Sequence, residues 1–278
     1  MPNHQESPAT VVLTGASTGI GRATALDIAR SAGHLVLHGL EPERSVTTLL
    51  SGVRATMRPG ARLTYLQADY DDLAQVDRLA DRITEVTDRI DLLINNAARP
   101  GPPARTINDA GVEITLQVNY LAPVLLTGRL IDRIGAGGRG RIVNVASATH
   151  FSATLDLADF EVGPHRYSPS AAYAHSKLAL VTYSLWLAAH RPRPALDVVS
   201  MHPGVIATGL LHAMFSVTGD APEYAAHNII DVASRRDDNG TYYDERDPET
   251  PNPQASDPAV QQRLHELTAA RLTAVLQP

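Results

Sequence analysis

Along the 278 residues, short runs of consecutive apolar positions alternate with longer stretches in which apolar residues recur every three or four positions. The short runs are Thr10–Leu13, Leu35–His38, Leu63–Gln67, Asp91–Asn95, Arg141–Ala146, Leu196–Met201 and Thr241–Tyr243. Segments such as Val11-Val12-Leu13 and Leu92-Leu93-Ile94 lack the polar alternation of a half-exposed strand, so they predict strands covered on both faces. The longer stretches predict helices over Ile20–Ala32, Glu43–Met57, Leu73–Thr87, Asp109–Ile134, Ala171–Ala189, Ala221–Arg235 and Asp257–Leu276. Strands and helices alternating in this way form βαβ units. The expectation is an α/β fold, a doubly wound parallel sheet of about seven strands with helices on both faces. No internal repeat or break in composition divides the chain, so a single domain over 1–278 is expected. Its variable parts are a flexible terminus at 1–9, loops at 148–172 and 207–225, an acidic, proline-rich loop at 244–258, and a closing helix at 257–276.

Composition narrows the function. A net charge of −6 without a basic cluster argues against a nucleic-acid surface. With no cysteine there is no disulfide, thiolate nucleophile or cysteine-based metal site, and the histidine spacing suggests no metal either. No apolar run approaches the ~18 residues of a membrane span, and the opening residues lack the pattern of a secretory leader. A cytoplasmic protein acting on a small molecule is expected.

One residue type is used only once. Of 24 basic residues, 23 are arginine, and the single lysine is Lys177, four positions after Tyr173. Arginine serves a surface charge equally well, so this site calls for a compact ammonium with rotatable donors. The spacing puts both side chains on one helical face, where the ammonium is expected to lower the phenol's pKa from about 10. A tyrosine tuned in this way is a general acid or base. A solvated lysine on a helix face is the plain alternative.

The first strand ends in Thr14-Gly15-Ala16-Ser17-Thr18-Gly19-Ile20-Gly21-Arg22 and leads into a helix. Glycines at such a turn let backbone approach a pyrophosphate at the helix N-terminus, the Rossmann-type arrangement. Asp69, just after the third strand, either binds an adenine amino group or caps the next helix.

The ordered set continues with Asn95-Asn96-Ala97-Ala98, Asn119, Ser147, Tyr173 with Lys177, and Pro203-Gly204. Together these elements closely resemble the short-chain dehydrogenase/reductase family over about residues 10–243. The resemblance implies a catalytic tetrad of Asn119, Ser147, Tyr173 and Lys177. It further implies cofactor contacts from Gly15, Ser17, Thr18, Gly19, Ile20, Gly21, Arg22, Asp69, Asn95, Ala97, Tyr173, Lys177, Pro203, Gly204 and Thr208. Ser147 lies at the carboxyl end of the fifth strand, where open α/β sheets bind ligands, and its hydroxyl can donate to a substrate oxygen as charge develops; a turn cap is the alternative. Pro123 cannot donate to the Asn119 carbonyl four residues earlier, which leaves that oxygen for a proton relay or marks a simple kink.

Two departures stand out. Ser147 and Tyr173 lie 26 positions apart (173 − 147), about twice the commonest family spacing, which resembles the retinol-dehydrogenase-like branch. The extra segment is expected to shape a substrate pocket through His150, Phe151 and Phe160, or else to be a stabilising surface excursion. Leu210, Leu211, Met214, Phe215 and Tyr224 read as an apolar lid or as core packing. Together they suggest a bulky, fairly apolar carbonyl or secondary alcohol. In the second departure, Gly39 stands where NAD-preferring relatives carry an acid. Arg22 and Arg44 are within possible reach of a 2′-phosphate, while Glu41 opposes one, so NADP(H) is favoured with NAD(H) possible. Homodimers or homotetramers built on Asp109–Ile134 and Ala171–Ala189 are expected from the resemblance. A catalytically silent cofactor-binding regulator and a non-redox isomerase or dehydratase are the alternative functions.

Overall fold

The structure is a computed structural model and describes residues 9–214 and 218–276. Residues 1–8 of the expected flexible terminus lie outside the described residues. Eight strands form one sheet in the order β3-β2-β1-β4-β5-β6-β7-β8. They are β1 (Thr10–Leu13), β2 (His34–Gly39), β3 (Arg62–Gln67), β4 (Leu92–Asn95), β5 (Gly140–Val145), β6 (Leu196–His202), β7 (Tyr242–Asp244) and β8 (Asp247–Glu249). All neighbours pair in parallel except β7 and β8.

The helices are α1 (Gly19–Ile28), α2 (Thr47–Thr56), α3 (Leu73–Val86), α4 (Ile114–Leu116), α5 (Ala122–Leu130), α6 (Pro169–Ala189), α7 (Gly209–Met214), α8 (Pro222–Ser234), α9 (Pro253–Ser256) and α10 (Pro258–Leu276). Successive strand residues serve opposite faces. Val12, Val36, Leu93, Ile142 and Val198 join the core formed with α3, α5 and α6. Leu13, Leu35, Leu37, Val143, Val199 and Met201 join the core formed with α1, α2 and α8. Both faces are therefore sealed, each fully buried aliphatic side chain contributing about 1.5–3 kcal/mol.

Three expectations change. The stretch 109–134 is not one helix. Gly111 takes φ 74°, the Glu113 carboxylate caps the start of α4, and a π turn over Gln117–Leu121 joins α4 to α5. Pro123 sits in the first turn of α5, directly after the widened turn. A proline that supplies no N–H there breaks the regular ladder, and a π turn is one way to absorb the break. The segment 244–258 is not a plain loop, for it contains β8 and α9 and buries Asn252 and Ala255. The outer face of α6 is taken by the chain's own α10. Trp186 stacks on His265 with ring centroids 3.7 Å apart, the Tyr120 and Thr268 hydroxyls lie 2.7 Å apart, and Leu264 is buried. Among the described residues no helix is long and apolar enough to cross a membrane.

His38 holds the first turn in place. Its Nδ1 accepts from the Gly15 N–H at 3.3 Å, so the neutral ring carries its proton on Nε2 and donates to the Ala68 carbonyl at 3.1 Å. Burial lowers its pKa to about 4. His34 is lowered to about 4 as well, and His150, His175 and His202 are shifted in the same direction, chiefly by burial. The unfolded chain takes up protons below about pH 6.5 that these native rings refuse, so stability is full above that pH and falls toward pH 4. For His38 alone the loss is on the order of 3 kcal/mol. We expect denaturation midpoints measured from pH 7.5 to 4 to fall steeply below 6.5, and His38→Asn to make that fall shallower. An equal slope in the variant would refute this assignment.

Candidate active site

Strand order reverses between β1 and β4, and open α/β sheets place their ligand crevice outside the carboxyl ends at such a point. A cleft of about 960 Å³ lies there, at the upper end of the range for small-molecule sites. Its floor is the glycine turn. Gly15 takes φ 66°, and a Cβ on it would come 2.7 Å from the Cα of Ala97. A Cβ on Gly21 would overlap the Gly15 carbonyl. Thr18 precedes α1 in an extended conformation without capping it through its side chain, and the first turn of α1 carries no acid. Its uncapped amides, partly positive, are suited to an anion.

Side chains replace the missing sheet ladder between the two diverging strands. The Thr14 hydroxyl accepts from the Asn96 and Ala97 amides, each at 3.0 Å, and Asn96 Nδ2 donates to the carbonyls of Thr14 at 2.9 Å and Gly15 at 3.2 Å. Asn95 has a different place from the one expected. Its amide turns away from the cleft and donates to Thr127 Oγ1 at 3.0 Å and Asn144 Oδ1 at 2.8 Å, a buried polar link between β4 and β5. Asn96, named only within the motif, lines the cleft instead.

Asn119 works as a clamp. Its Oδ1 accepts from the Arg99 N–H at 2.8 Å, while Nδ2 donates to the Arg99 carbonyl at 3.0 Å and to Ser176 Oγ at 3.1 Å. The loop after β4 is thereby tied to α6. Asp69 lines the cleft, and Asp72 rather than Asp69 caps α3 by accepting from the Ala74 amide. Arg99 and Asp71, which carried no motif signal, also line the cleft and pair at 3.1 Å.

Ser147, Tyr173 and Lys177 meet on one wall. Ser147 caps a 3-10 turn over Ala148–Ser152 and also hydrogen-bonds the Tyr173 phenol, so the cap and the cleft position coincide. Lys177 Nζ donates to the Val145 carbonyl at 2.8 Å and lies 5.7 Å from the centroid of the Tyr173 ring. Both side chains are almost wholly buried, and the effect on the phenol is opposite to the expected one. Burial pushes Tyr173 up to about 12 against the pull of the Ser147 hydrogen bond, and burial alone brings Lys177 down to about 7. Desolvation penalises both charges, so the protein matrix favours the neutral pair.

The far wall holds Pro203, Gly204, Thr208 and Leu210. Gly204 takes φ 106°, and Thr208 Cγ2 would lie 3.4 Å from a Cβ on Gly19, so this segment faces the glycine turn. Met214 ends α7 but its side chain, like that of Leu211, falls outside what is described, and Phe215 lies outside the described residues. Tyr224 is exposed and hydrogen-bonds Glu245. Arg22 is exposed on α1 and Arg44 on a short 3-10 turn, and neither lines the cleft.

His150, Phe151 and Phe160 do not line the cleft either: His150 and Phe160 pack against other segments, and Phe151 is partly stacked but exposed. His150 is buried, accepts from the Asn252 amide through Nε2 at 3.4 Å, and donates from Nδ1 to the Ser147 carbonyl at 2.8 Å. Phe151 lies against His150 and edge-on to Tyr242, and Phe160 lies edge-on to Tyr120. The long segment between Ser147 and Tyr173 contributes Ala148 and Thr149 to the cleft and is otherwise braced. Asn252 Nδ2 donates to the carbonyls of His150, Phe151 and Ala153 at 3.0, 3.2 and 3.0 Å. Arg105 Nε donates to Val162 O at 2.8 Å and Tyr167 Oη to Pro102 O at 2.7 Å.

The cleft fits a dinucleotide on the chain's own features: glycines whose Cβ atoms would collide, uncapped helix amides, and a buried lysine whose Nζ has a single protein acceptor and N–H to spare. The family model for short chain dehydrogenases matches residues 9–217. Retinol dehydrogenase 13 of Homo sapiens is 32% identical over 287 residues, covering 97% of this chain and 86% of that protein. A Streptomyces sp. (strain C5) protein, whose name proposes a daunorubicin C-13 ketoreductase, is 38% identical over 199 residues, 72% of this chain and 66% of its own. A crystal structure of a Mycobacterium paratuberculosis protein superposes with a TM-score of 0.75 at 26% identity, covering 95% of this chain and 93% of that one.

Because Asn252 satisfies three carbonyls beneath the Ser147 turn, Asn252→Ala is expected to cost about 2–3 kcal/mol of unfolding free energy. Urea titration of both proteins measures it, and a difference below about 0.5 kcal/mol would show that the loop is held by its other contacts.

Proposed function

The chain belongs to the short-chain dehydrogenase family, and from that premise we propose that it interconverts a bulky, fairly apolar carbonyl compound and its alcohol, using NAD(P)(H). The observation that carries this reading is the meeting of Ser147, Tyr173 and Lys177 on one wall of a cleft floored by the glycine turn. The bound nicotinamide would supply or accept the hydride. Ser147 Oγ donates to the substrate oxygen, where negative charge grows during reduction. Tyr173 Oη stands beside Ser147 and gives its proton to that same oxygen. Lys177 Nζ, anchored by the Val145 carbonyl, keeps two donors for ribose hydroxyls and lies near enough to the phenol to stabilise its anion when charged. Asn119 positions the loop across the cleft and α6, the helix that carries Tyr173 and Lys177. No proton relay through its main-chain carbonyl is needed for this account.

The substrate class rests on Val118, Pro100, Val205, Ile206 and Leu210, apolar residues along the cleft. The names of the relatives, a retinol dehydrogenase and a daunorubicin ketoreductase, point to bulky apolar molecules as well. Arg22 and Arg44, on which the expectation of NADP(H) rests, are exposed and outside the cleft lining, so the reading proposed here is NAD(P)(H) without a choice between the two. Of the two faces on which homodimers or homotetramers were expected, that of α6 carries α10.

Reduction of retinal-like aldehydes and polycyclic ketones by the purified chain is the direct test. Tyr173→Phe is expected to lower kcat at least a thousandfold while leaving nucleotide affinity within about threefold. Retained turnover in that variant would refute the assignment. A phenol held near 12 is protonated at neutral pH, which suits reduction, whereas oxidation draws on its scarce anion. Alcohol oxidation should therefore rise with pH, by up to about tenfold per unit between 7 and 10, and carbonyl reduction should not. Parallel profiles in the two directions would contradict that role for Tyr173. Light scattering at micromolar concentration should give a monomer near 29.8 kDa; a stable dimer would mean that another surface pairs.

A further inference from the structure

We infer that His202 recognises a second oxygen of the substrate, so that the preferred compounds carry a hydroxyl or a further carbonyl close to the reacting one. The inference rests on the oxidoreductase reading above and names a feature of its substrate.

His202 is the last residue of β6 and lines the cleft beside Pro203 and Gly204. Met201 belongs to the core formed with α1, α2 and α8, so the next side chain leaves the sheet on the opposite face, that of α6 with Tyr173 and Lys177. The backbone there is tied on both sides. The Ala146 amide donates to the Met201 carbonyl at 2.7 Å, and the Glu245 amide donates to the His202 carbonyl at 2.8 Å. Val145 is in register with Met201, which sets Ala146 opposite His202 and Ser147 one residue further along, on strands about 4.8 Å apart. The imidazole and the Ser147 hydroxyl thus start from neighbouring points on the rim that holds the reacting carbonyl.

What singles out this ring is its lack of partners. His34, His38, His150 and His175 are also buried, and each engages a ring nitrogen, with Thr64, Ala68, Ser147 and Phe160 respectively. His202, only 8% exposed, engages neither nitrogen among the described residues. Its Nδ1 is sealed from solvent, and Nε2 is the nitrogen left open to the cleft. Buried polar groups nearly always have a partner, and here a ligand in the cleft supplies it. Burial lowers the pKa of His202 against the pull of Asp244 and Glu245, so the ring is neutral and Nε2 either donates or accepts one hydrogen bond. Those two carboxylates disfavour an anionic group at this point. A hydroxyl or ketone oxygen suits the ring in either tautomer. Because Ser147 and Tyr173 hold the reacting oxygen, the one that meets His202 is a second oxygen a few bonds away.

The test compares reduction of benzoin, a ketone with an adjacent hydroxyl, with that of deoxybenzoin, which has a methylene there, by the wild type, His202→Leu and His202→Gln. An adjacent oxygen also activates a carbonyl chemically, so the deciding quantity is the change between proteins in the ratio of the two kcat/KM values. His202→Leu should lower that ratio at least tenfold, and His202→Gln, which keeps a donor and an acceptor, should hold it within about threefold of the wild type. An equal ratio in the wild type and His202→Leu would overturn the inference and leave the oxidoreductase reading standing, whether or not both efficiencies fall. Turnover of neither compound by the wild type would overturn it too; if the retinal-like aldehydes and polycyclic ketones also failed, the oxidoreductase reading would fall with it.

Discussion

Everything in this protein's cleft depends on how the carboxyl ends of β1 and β4 are held once their ladder stops. Beyond Leu13 and Ile94 the two chains diverge, one into the glycine turn and the other into the loop that carries Arg99. The backbone groups exposed by that divergence would be costly if left unpaired. Thr14 and Asn96 supply the partners across the gap, and the Gly15–Ala97 contact is so close that no side chain fits between. The cleft is therefore a consequence of satisfied polar groups, and its walls inherit their rigidity. Asn119 extends the same logic by joining that loop, at Arg99, to α6.

That rigidity creates the electrostatic problem at the catalytic wall. Tyr173 and Lys177 sit on a helix sealed by the sheet on one side and by α10 on the other, so water cannot solvate either charge well. Burial drives the phenol up and the ammonium down, toward a neutral tyrosine and a neutral lysine. Reduction of a carbonyl requires a neutral phenol that gives up its proton only as the substrate oxygen becomes basic. A buried phenol is well matched to that demand, and a nearby ammonium acts on the anion as it forms. Ser147 adds a hydroxyl that already contacts the phenol.

Much of this was legible in the sequence because it follows from local rules. Strands buried on both faces read as apolar runs, as in β1, β2, β4 and β6, whereas the edge strand β3 is partly exposed and carries polar residues. The glycine turn, Ser147, Tyr173 and Lys177 were legible because each needs a particular residue type at a particular offset from a strand or a helix. What escaped notice depends on distant partners. His150 and Phe160 have the chemistry of a pocket wall, yet Asn252 and Tyr120 claim them for packing, while Phe151 stands exposed against Tyr242. The 244–258 stretch looks too polar to pack, but the polarity of Asn252 is what three buried carbonyls require. The break in the stretch 109–134 had a visible sign in Gly111 and Pro123, while its form, a capped start and a π turn, depended on Glu113 and tertiary packing.

The distribution of charge along the cleft follows from the same division between local and distant constraints. At the catalytic end a single ammonium lies beside a phenol, on a helix whose spacing is written in the sequence. At the other end, Tyr65 reaches from the neighbouring strand to fill the space beside Gly39, which excludes any side chain there, and its hydroxyl holds the Glu41 carbonyl. Sequence spacing alone treats the glycine as a missing acid and turns to nearby arginines for compensation. In the folded chain the glycine keeps open the space that the Tyr65 hydroxyl fills, a constraint that only the pairing of β2 with β3 reveals.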